Sequence, residues 1–325
     1  METHEDTDLS IIIVNWNSKA YLEKCIESIL LWTVDIKYEI IVIDGASFDG
    51  CGEMLRSLYP QVRFIQSDKN LGFAKANNEA FRVSSGQNIL FLNPDTEVEG
   101  SAVETLSEWL TSAADAGIVG AKLLNSDRSV QTSCIQAFPT ILNQFLDSEA
   151  LRKAFPMAGL WGTSPLFEEG MIPKSVDAVS GACLMIKRCV FESVGTFSAD
   201  YFMYSEDIDL CFKAKQAGWK TYYVPTAVVV HHGGTSSSQT SVNAFSSVMM
   251  LESRWRFFRK TRSSWYCKLY RVAILFLSLI RLGLILFGWP IYGLRGKGVL
   301  SGNMLKRWTA KLRWAMGGEG WVKTY

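Results

Sequence analysis

The chain has 325 residues, 48% of them hydrophobic, which allows a large buried core in one big domain or two. Its net charge of +1 conceals an asymmetry: residues 1–250 hold 18 Lys and Arg against 30 Asp and Glu, a net of −12, while residues 251–325 hold 15 against 2, a net of +13. Seven cysteines without a CxxC pair exclude a disulfide framework or a zinc site, and the polar, acidic start METHEDTDLS is the opposite of a signal peptide, so the acidic part is expected in a reducing cytosol.

The first elements follow in chain order. LSIIIVNW (9–16), YEIIVIDG (38–45), VRFIQS (62–67) and NILFLNPD (88–95) are short apolar runs rich in β-branched residues, the pattern of strands buried on both faces. Between the first two, Leu22, Cys25, Ile26, Ile29 and Leu30 recur at helical spacing behind Ser18, a candidate N-cap. AKANNEAFRVSSG predicts a second helix ending near Gly86. Alternating β and α segments predict an α/β, doubly wound, Rossmann-like and mostly parallel sheet flanked by helices, which binds ligands at the carboxyl ends of its strands. No G-x-G-x-x-G follows the first strand, so the dinucleotide fingerprint is missing. Residues 126–175, with Pro139, Pro156, Pro165 and Pro173, read as a loop-rich lid or acceptor-facing insertion. VDAVSGACLMIKR (176–188) and WKTYYVPTAVVVHHGG each predict a further strand.

Three stretches carry chemistry. LFLNPDTEVE sets Asn93, Asp95 and Glu97 at a strand exit, where a carboxylate could hold Mg²⁺ or Mn²⁺, although Asn-Pro-Asp is equally ordinary turn chemistry. VVVHHGGTS ends a strand with two of the chain's three histidines, His231 and His232; one becomes a metal ligand only if Asp95 lies nearby, and otherwise bonds backbone. YFMYSEDIDLCFKAKQAGW places Glu206, Asp207 and Asp209 within four positions. Acids favour a helix N-terminus. Three after an apolar run point further, to a general base whose acidic neighbours raise its pKa.

Taken in series, SIIIVNWNSKAYLEKCIESI, IVIDGASFDG, NLGFAKANNEAF, ILFLNPDTEV, VSGACLMIKR, VGTFSADYFMYSEDIDLCFKAKQAGW and VVVHHGGTS resemble family 2 glycosyltransferases, in particular the bacterial rhamnosyltransferase-like branch that builds surface polysaccharides. The resemblance implies a GT-A fold and inverting transfer of a sugar, rhamnose being the one it suggests, from a nucleotide-sugar donor to a lipid-linked or oligosaccharide acceptor. It implies donor contacts from Asn15, Asn17, Asp44, Ser47, Asn70, Lys75, Asn93 and Gly181. Asp95, in a D-x-D-like motif whose first slot is Asn93, and His231 would take the Mg²⁺ or Mn²⁺. Asp207 would be the catalytic base, with Glu206 beside it. Where the family usually reads D-N-x-S-x-D-G after the second strand, this chain has Gly45 for Asn and Phe48 for a common Thr, while Asp44, Ser47, Asp49 and Gly50 remain.

The tail, VAILFLSLIRLGLILFGWPIY (272–292), has the length of a membrane span, but Arg281 sits near its middle and basic residues flank both ends. A re-entrant or in-plane element at the cytoplasmic face of the inner or plasma membrane is preferred to a single span. Residues 1–250 are thus expected to form the catalytic domain and 251–325 a membrane-associating helical region. Two other readings stay open. A nucleotidyltransferase acting on sugar phosphates should carry a glycine- and lysine-rich loop after its first strand, where NWNSKAYL has no glycine and one lysine. A catalytically silent α/β domain with a nucleic-acid-binding basic tail would show salt-sensitive DNA affinity; nothing in the acidic part favours a nucleic-acid partner.

Overall fold

The computed structural model describes residues 7–146, 170–233, 242–294 and 298–324. Eleven strands are seen among them: β1 (Leu9–Asn15), β2 (Tyr38–Asp44), β3 (Arg63–Gln66), β4 (Asn88–Leu92), β5 (Thr96–Glu99), β6 (Ala116–Leu124), β7 (Ile135–Gln136), β8 (Lys174–Val176), β9 (Ala178–Val179), β10 (Cys183–Lys187) and β11 (Lys220–His231). Nine form one mixed sheet in the order β3-β2-β1-β4-β10-β6-β11-β5, with β8 on the flank of β11. The strands β1 to β4 are mutually parallel; β10 runs antiparallel between β4 and β6, and β11 lies parallel to β6.

Alternation along each strand feeds two cores. Ile11, Ile13, Ile40, Val42, Leu90 and Leu92 face the helices Lys19–Trp32, Cys51–Leu58 and Ala102–Ser112. Ile12, Ile41, Ile43, Ile89 and Phe91 face the other side, where Gly72–Phe81, Arg188–Ser193 and Glu206–Gln216 pack. Burial on both faces is why these strands read as unbroken apolar runs.

Three expectations shift locally. The helix foreseen to end near Gly86 ends at Phe81, where the amides of Val83 and Ser84 turn back onto Ala80 and Phe81. Gly86 serves a close approach instead: a Cβ there would lie 2.4 Å from the Ser10 nitrogen, so only glycine lets the chain enter β4 against β1. Ser18 does precede the first helix, but its hydroxyl donates to the Trp16 carbonyl. The segment 176–188 is not one strand: β9 and β10 are separated by a bend at Ser180–Ala182. Of the foreseen loop-rich insertion, the described parts hold a short strand, β7, and a short helix, Ile141–Phe145; Pro156 and Pro165 lie outside the described residues.

The C-terminal helices Val242–Thr261, Ser264–Leu294 and Gly298–Ala315 pack on the second face, and Phe257, Phe258, Tyr270, Ile274 and Trp314 share a core with Tyr201 and Ile208. By length and composition Ser264–Phe287 could cross a membrane, and little of it is buried in the protein. Its exposed residues Trp265, Leu269, Val272, Phe276, Ile280, Leu284 and Phe287 follow a three-four spacing, which is one continuous apolar stripe. Arg281 sets its guanidinium 5.8 Å from the Trp308 ring on the neighbouring helix.

Candidate active site

The carboxyl ends of β1, β2, β4 and β11 and the start of β10 line one edge of the sheet, since Asn15 pairs with Asp44 and Leu92 with Cys183. Four hydrogen bonds converge on Asp44 there. Asn15 Nδ2, the Ser47 amide and Gln66 Nε2 donate at 2.8 Å, and the Ser47 hydroxyl at 2.7 Å. Burial is the largest influence on this carboxyl and acts to raise its pKa, yet the bonds from Ser47, Gln66 and Asn15 outweigh it and hold the group below the usual carboxylate range. The Ser47 hydroxyl also accepts the Asn17 amide at 2.7 Å, and Asn17 itself is left-handed at φ 52°. Asn15 Oδ1 is buried and has no hydrogen-bond partner, an acceptor still to be satisfied at the floor of this crevice.

Asp44, Asp49 and Cys51 are the one set of three possible metal ligands clustered among the described residues. Two of the three already serve local partners. Asp49 accepts the amides of Lys19 and Cys51 at 3.1 Å each, capping two helices, while burial pushes the Cys51 thiol far above its ordinary value. Phe48, exposed and left-handed at φ 52°, and Gly45 are the two departures from the family pattern. A Cβ at Gly45 would meet Asn70 Oδ1 at 3.6 Å, so the missing side chain leaves room beside Asn70, whose Oδ1 accepts the Gly72 amide at 2.9 Å.

At the exit of β4, Asn93 and Asp95 meet His231 from β11. His231 Nε2 lies 3.3 Å from Asp95 Oδ1 and 3.3 Å from Asn93 Nδ2. The tautomer follows from Gln131. Its Nε2 donates to Asn125 Oδ1 and to the His231 carbonyl at 3.0 Å, which leaves Oε1 to accept from His231 Nδ1 at 2.8 Å. With Nδ1 donating to Gln131, Nε2 accepts from Asn93 Nδ2 beside the Asp95 carboxylate. Two acceptors held that close, with an amide fixing the imidazole from behind, are a donor set suited to a divalent cation. His232 takes a different role: its Nε2 is 2.7 Å from Glu97 Oε1 and its Nδ1 2.9 Å from the Ser126 hydroxyl.

The acidic cluster opens the helix Glu206–Gln216, behind two left-handed residues, Tyr204 (φ 69°) and Ser205 (φ 65°). Each such non-glycine conformation costs about 1–3 kcal/mol. The three acids then part ways. Asp209 is structural: Ser198 Oγ donates to it at 2.5 Å and the Tyr201 hydroxyl at 3.3 Å, with Lys213 and Lys260 at 3.8 and 3.7 Å. Glu206 is buried with Oε2 unpartnered, and burial, then the charges of Asp207 and Asp209, lift its pKa well above the ordinary value. Asp207 Oδ2 accepts from the Gly181 amide at 3.0 Å and from Gln136 Nε2 at 3.1 Å; Oδ1 accepts from Ile208 N at 2.8 Å and keeps a lone pair. Its pKa is raised too, and the cause is burial, opposed by those donors. Desolvation dominates in both acids; the mutual repulsion expected from the sequence adds to it in Glu206.

The bend at Ser180–Ala182 ties these groups together. The Gly181 amide binds Asp207, and the next residue, Ala182, accepts the Asn93 amide at 2.9 Å. Gly72 (φ 73°) makes a second tie, because a Cβ there would lie 2.3 Å from the Phe202 carbonyl, just ahead of the acidic cluster. Lys75 stands apart from the Asp44 group: it is exposed and lines a hollow of about 600 Å³ with Asp200, Trp255, Arg256 and Arg259. Gln66, Gln131 and Gln136 were invisible to sequence reasoning, since nothing local marks a glutamine that serves a partner 22 to 100 positions away.

The profile described as Glycosyl transferase family 2 matches residues 10–172. The chain belongs to that family. This family 2 glycosyltransferase is 28% identical over 244 residues to N-acetylglucosaminyl-diphospho-decaprenol L-rhamnosyltransferase of Mycobacterium tuberculosis, covering 71% of this chain and 78% of the relative. It is also 28% identical over 262 residues to rhamnosyltransferase WbbL of Escherichia coli, covering 78% and 93%. Its GT-A fold is shared with the mannosyltransferase PcManGT from Pyrobaculum calidifontis, solved with GDP-Man and Mn²⁺, at a TM-score of 0.57 and 15% identity over 96% of this chain and 88% of that one. GalNAc-T7, solved with UDP, GalNAc and Mn²⁺, superposes at 0.57 and 17% identity, covering 79% and 48%. Membership sets aside the nucleotidyltransferase reading. Gly181, Glu206, Asp207 and His231 lie beyond the residues the profile matches.

Proposed function

We propose that the enzyme is an inverting glycosyltransferase that moves rhamnose from a nucleoside-diphosphate sugar to a lipid-linked acceptor at the cytoplasmic face of the membrane. The relatives' names support the sugar and the lipid carrier, one of them acting on a diphospho-decaprenol acceptor. The observation that carries the mechanism is the Ser180–Ala182 bend, bonded on one side to Asp207 and on the other to Asn93.

Asp207 is the base: buried, its pKa raised toward working pH, with a lone pair free on Oδ1. It takes the proton of the acceptor hydroxyl as that oxygen bonds the anomeric carbon. The bond from that carbon to the diphosphate oxygen breaks on the opposite face, so the configuration inverts. Asp44, Ser47, Asn15 and Asn17 hold the nucleoside. Asp95 and His231 would hold Mg²⁺ or Mn²⁺, which when bound supplies charge neutralisation on the departing diphosphate.

The exposed stripe of Ser264–Phe287 supports residues 251–325 as a membrane-associating region lying in the bilayer surface. Arg281, directed at Trp308, is turned to the protein and so spared the apolar phase. A screen of nucleotide-sugars with Mg²⁺ or Mn²⁺, using native membranes as acceptor, tests the proposal. Transfer of rhamnose with inversion is expected; no transfer from any donor would end it.

A further inference from the structure

The C-terminal helices carry a second charged feature that the transfer reaction does not use. A hollow of about 410 Å³ opens between Trp255, Arg259, Arg262, Cys267, Lys268 and Arg271. Trp255 and Arg259 also line the hollow of about 600 Å³ bordered by Lys75 and Asp200.

The cations around it are unlike their neighbours. On the same helix, Arg256 pairs with Glu252 at 3.4 Å and Lys260 with Asp200 at 2.7 Å. Among the described residues no carboxylate pairs with Arg259, Arg262, Lys268 or Arg271; they rest on rings instead. The guanidinium groups of Arg259 and Arg271 lie 4.9 and 4.8 Å from the Trp255 ring, and Arg271 also lies 5.1 Å from Trp314. Arg271 Nε is buried and has no hydrogen-bond partner. Four like charges around one cavity, one with an orphaned donor, are an unfavourable arrangement until an anion enters.

The surroundings narrow what that anion is. Lys268 and Arg271 sit in the first turns of Ser264–Leu294, at the level where the stripe of Trp265, Leu269, Val272 and Phe276 begins. An occupant therefore has an apolar chain on one side and an anionic group in the hollow.

We infer that this basic hollow binds the diphosphate of the lipid-linked acceptor, through Arg259, Arg262, Lys268 and Arg271. The inference rests on the lipid-linked acceptor proposed above. An anionic phospholipid headgroup offers similar oxygens; the diphospho-decaprenol acceptor named for one relative favours the diphosphate.

The test uses the full chain and flotation with phosphatidylcholine vesicles carrying farnesyl diphosphate, farnesol, or phosphatidylglycerol at matched surface charge. The wild type should be retained most by farnesyl diphosphate, with inorganic pyrophosphate competing. Arg271→Gln should lose about tenfold of that retention, the share of one charge-assisted hydrogen bond. Because Arg271 also packs on two indoles, the exposed double variant Arg262→Gln/Lys268→Gln is measured beside it, with the same loss expected at an unchanged unfolding midpoint. Unchanged retention in both variants would overturn the inference, as would equal retention on phosphatidylglycerol. If the wild type turned over no nucleotide-sugar, the enzyme reading would fail, while binding of the prenyl diphosphate would still be scored by flotation.

Discussion

The amide of Gly181 donates to the Asp207 carboxylate at 3.0 Å, and the residue after that glycine accepts the amide of Asn93. A single bend in the chain thus spans the acid proposed as base and the strand exit proposed to hold the metal. Asp207→Asn keeps the size and the Gly181 bond but cannot accept a proton. Transfer is expected to fall by about 10²–10⁴-fold, with donor affinity nearly unchanged by calorimetry. Retained turnover would remove Asp207 from the mechanism.

Gln131 is predicted to matter to a cation it does not touch. Gln131→Leu removes the acceptor that holds the His231 Nδ1 proton, so the imidazole can turn or change tautomer. The Mg²⁺ or Mn²⁺ concentration for half-maximal activity should rise about 10–100-fold. A metal titration of activity measures this, and an unshifted curve would exclude the role.

Glu206 links the site to pH. Its folded pKa lies well above 4.5, its unfolded value, so across that window the folded chain binds one more proton than the unfolded chain. Stability from this group therefore falls as pH rises from the unfolded pKa to the folded one, by about 1.4 kcal/mol per unit of separation. Glu206→Gln, which needs no proton to be neutral, should unfold at a higher temperature than the wild type at pH 7, with the difference shrinking toward pH 4. A difference that grows on acidification would contradict the raised pKa.

Asp44 has the opposite sign. Its folded pKa is depressed, so its stabilisation is present above the unfolded value of 3.8 and is lost as pH falls through the folded one. Asp44→Asn turns an acceptor of four bonds partly into a donor facing donors, costing about 2 kcal/mol of stability. Nucleotide binding should weaken with it, as measured by calorimetry with the donor. A variant that binds the donor normally would show that Asp44 is only a scaffold.

The membrane proposal is better tested by points than by truncation. Deleting residues 265–325 would strip Tyr270 and Trp314 from the shared core and expose Phe257 and Phe258, so insolubility would mask the result. Phe276→Asp/Ile280→Asp changes only exposed positions. That variant should leave vesicles in flotation while keeping its unfolding midpoint; undiminished flotation would refute the stripe's role.

Legibility from sequence followed the physics of burial. The strands β1, β2 and β4 were plain because both of their faces are covered, which forces unbroken Ile, Val and Leu. The segment after Asp95 was not: β5 is an edge strand reading TEVE, and β6 is interrupted by Gly117 and Gly120. Candidate site residues at strand exits were equally plain, since Asn15, Asp44, Asn93 and His231 each break an apolar run. Their supporting side chains were not. Gln136 reaches Asp207 across 71 positions, and Ser198, which claims Asp209, sits in an ordinary turn sequence. Lys75 shows the limit of motif matching, because its surroundings are made by a helix more than 160 residues downstream in a part of the chain no motif covered.

Lys260 spans two carboxylates, Asp200 at 2.7 Å and Asp209 at 3.7 Å. It therefore ties the helix Val242–Thr261 to the helix whose first turn bears the acid proposed as base. On the membrane reading proposed above, the depth of Ser264–Leu294 in lipid sets the altitude of that carboxylate above the bilayer, and a glycan one ring too short or too long would offer its hydroxyl at the wrong height.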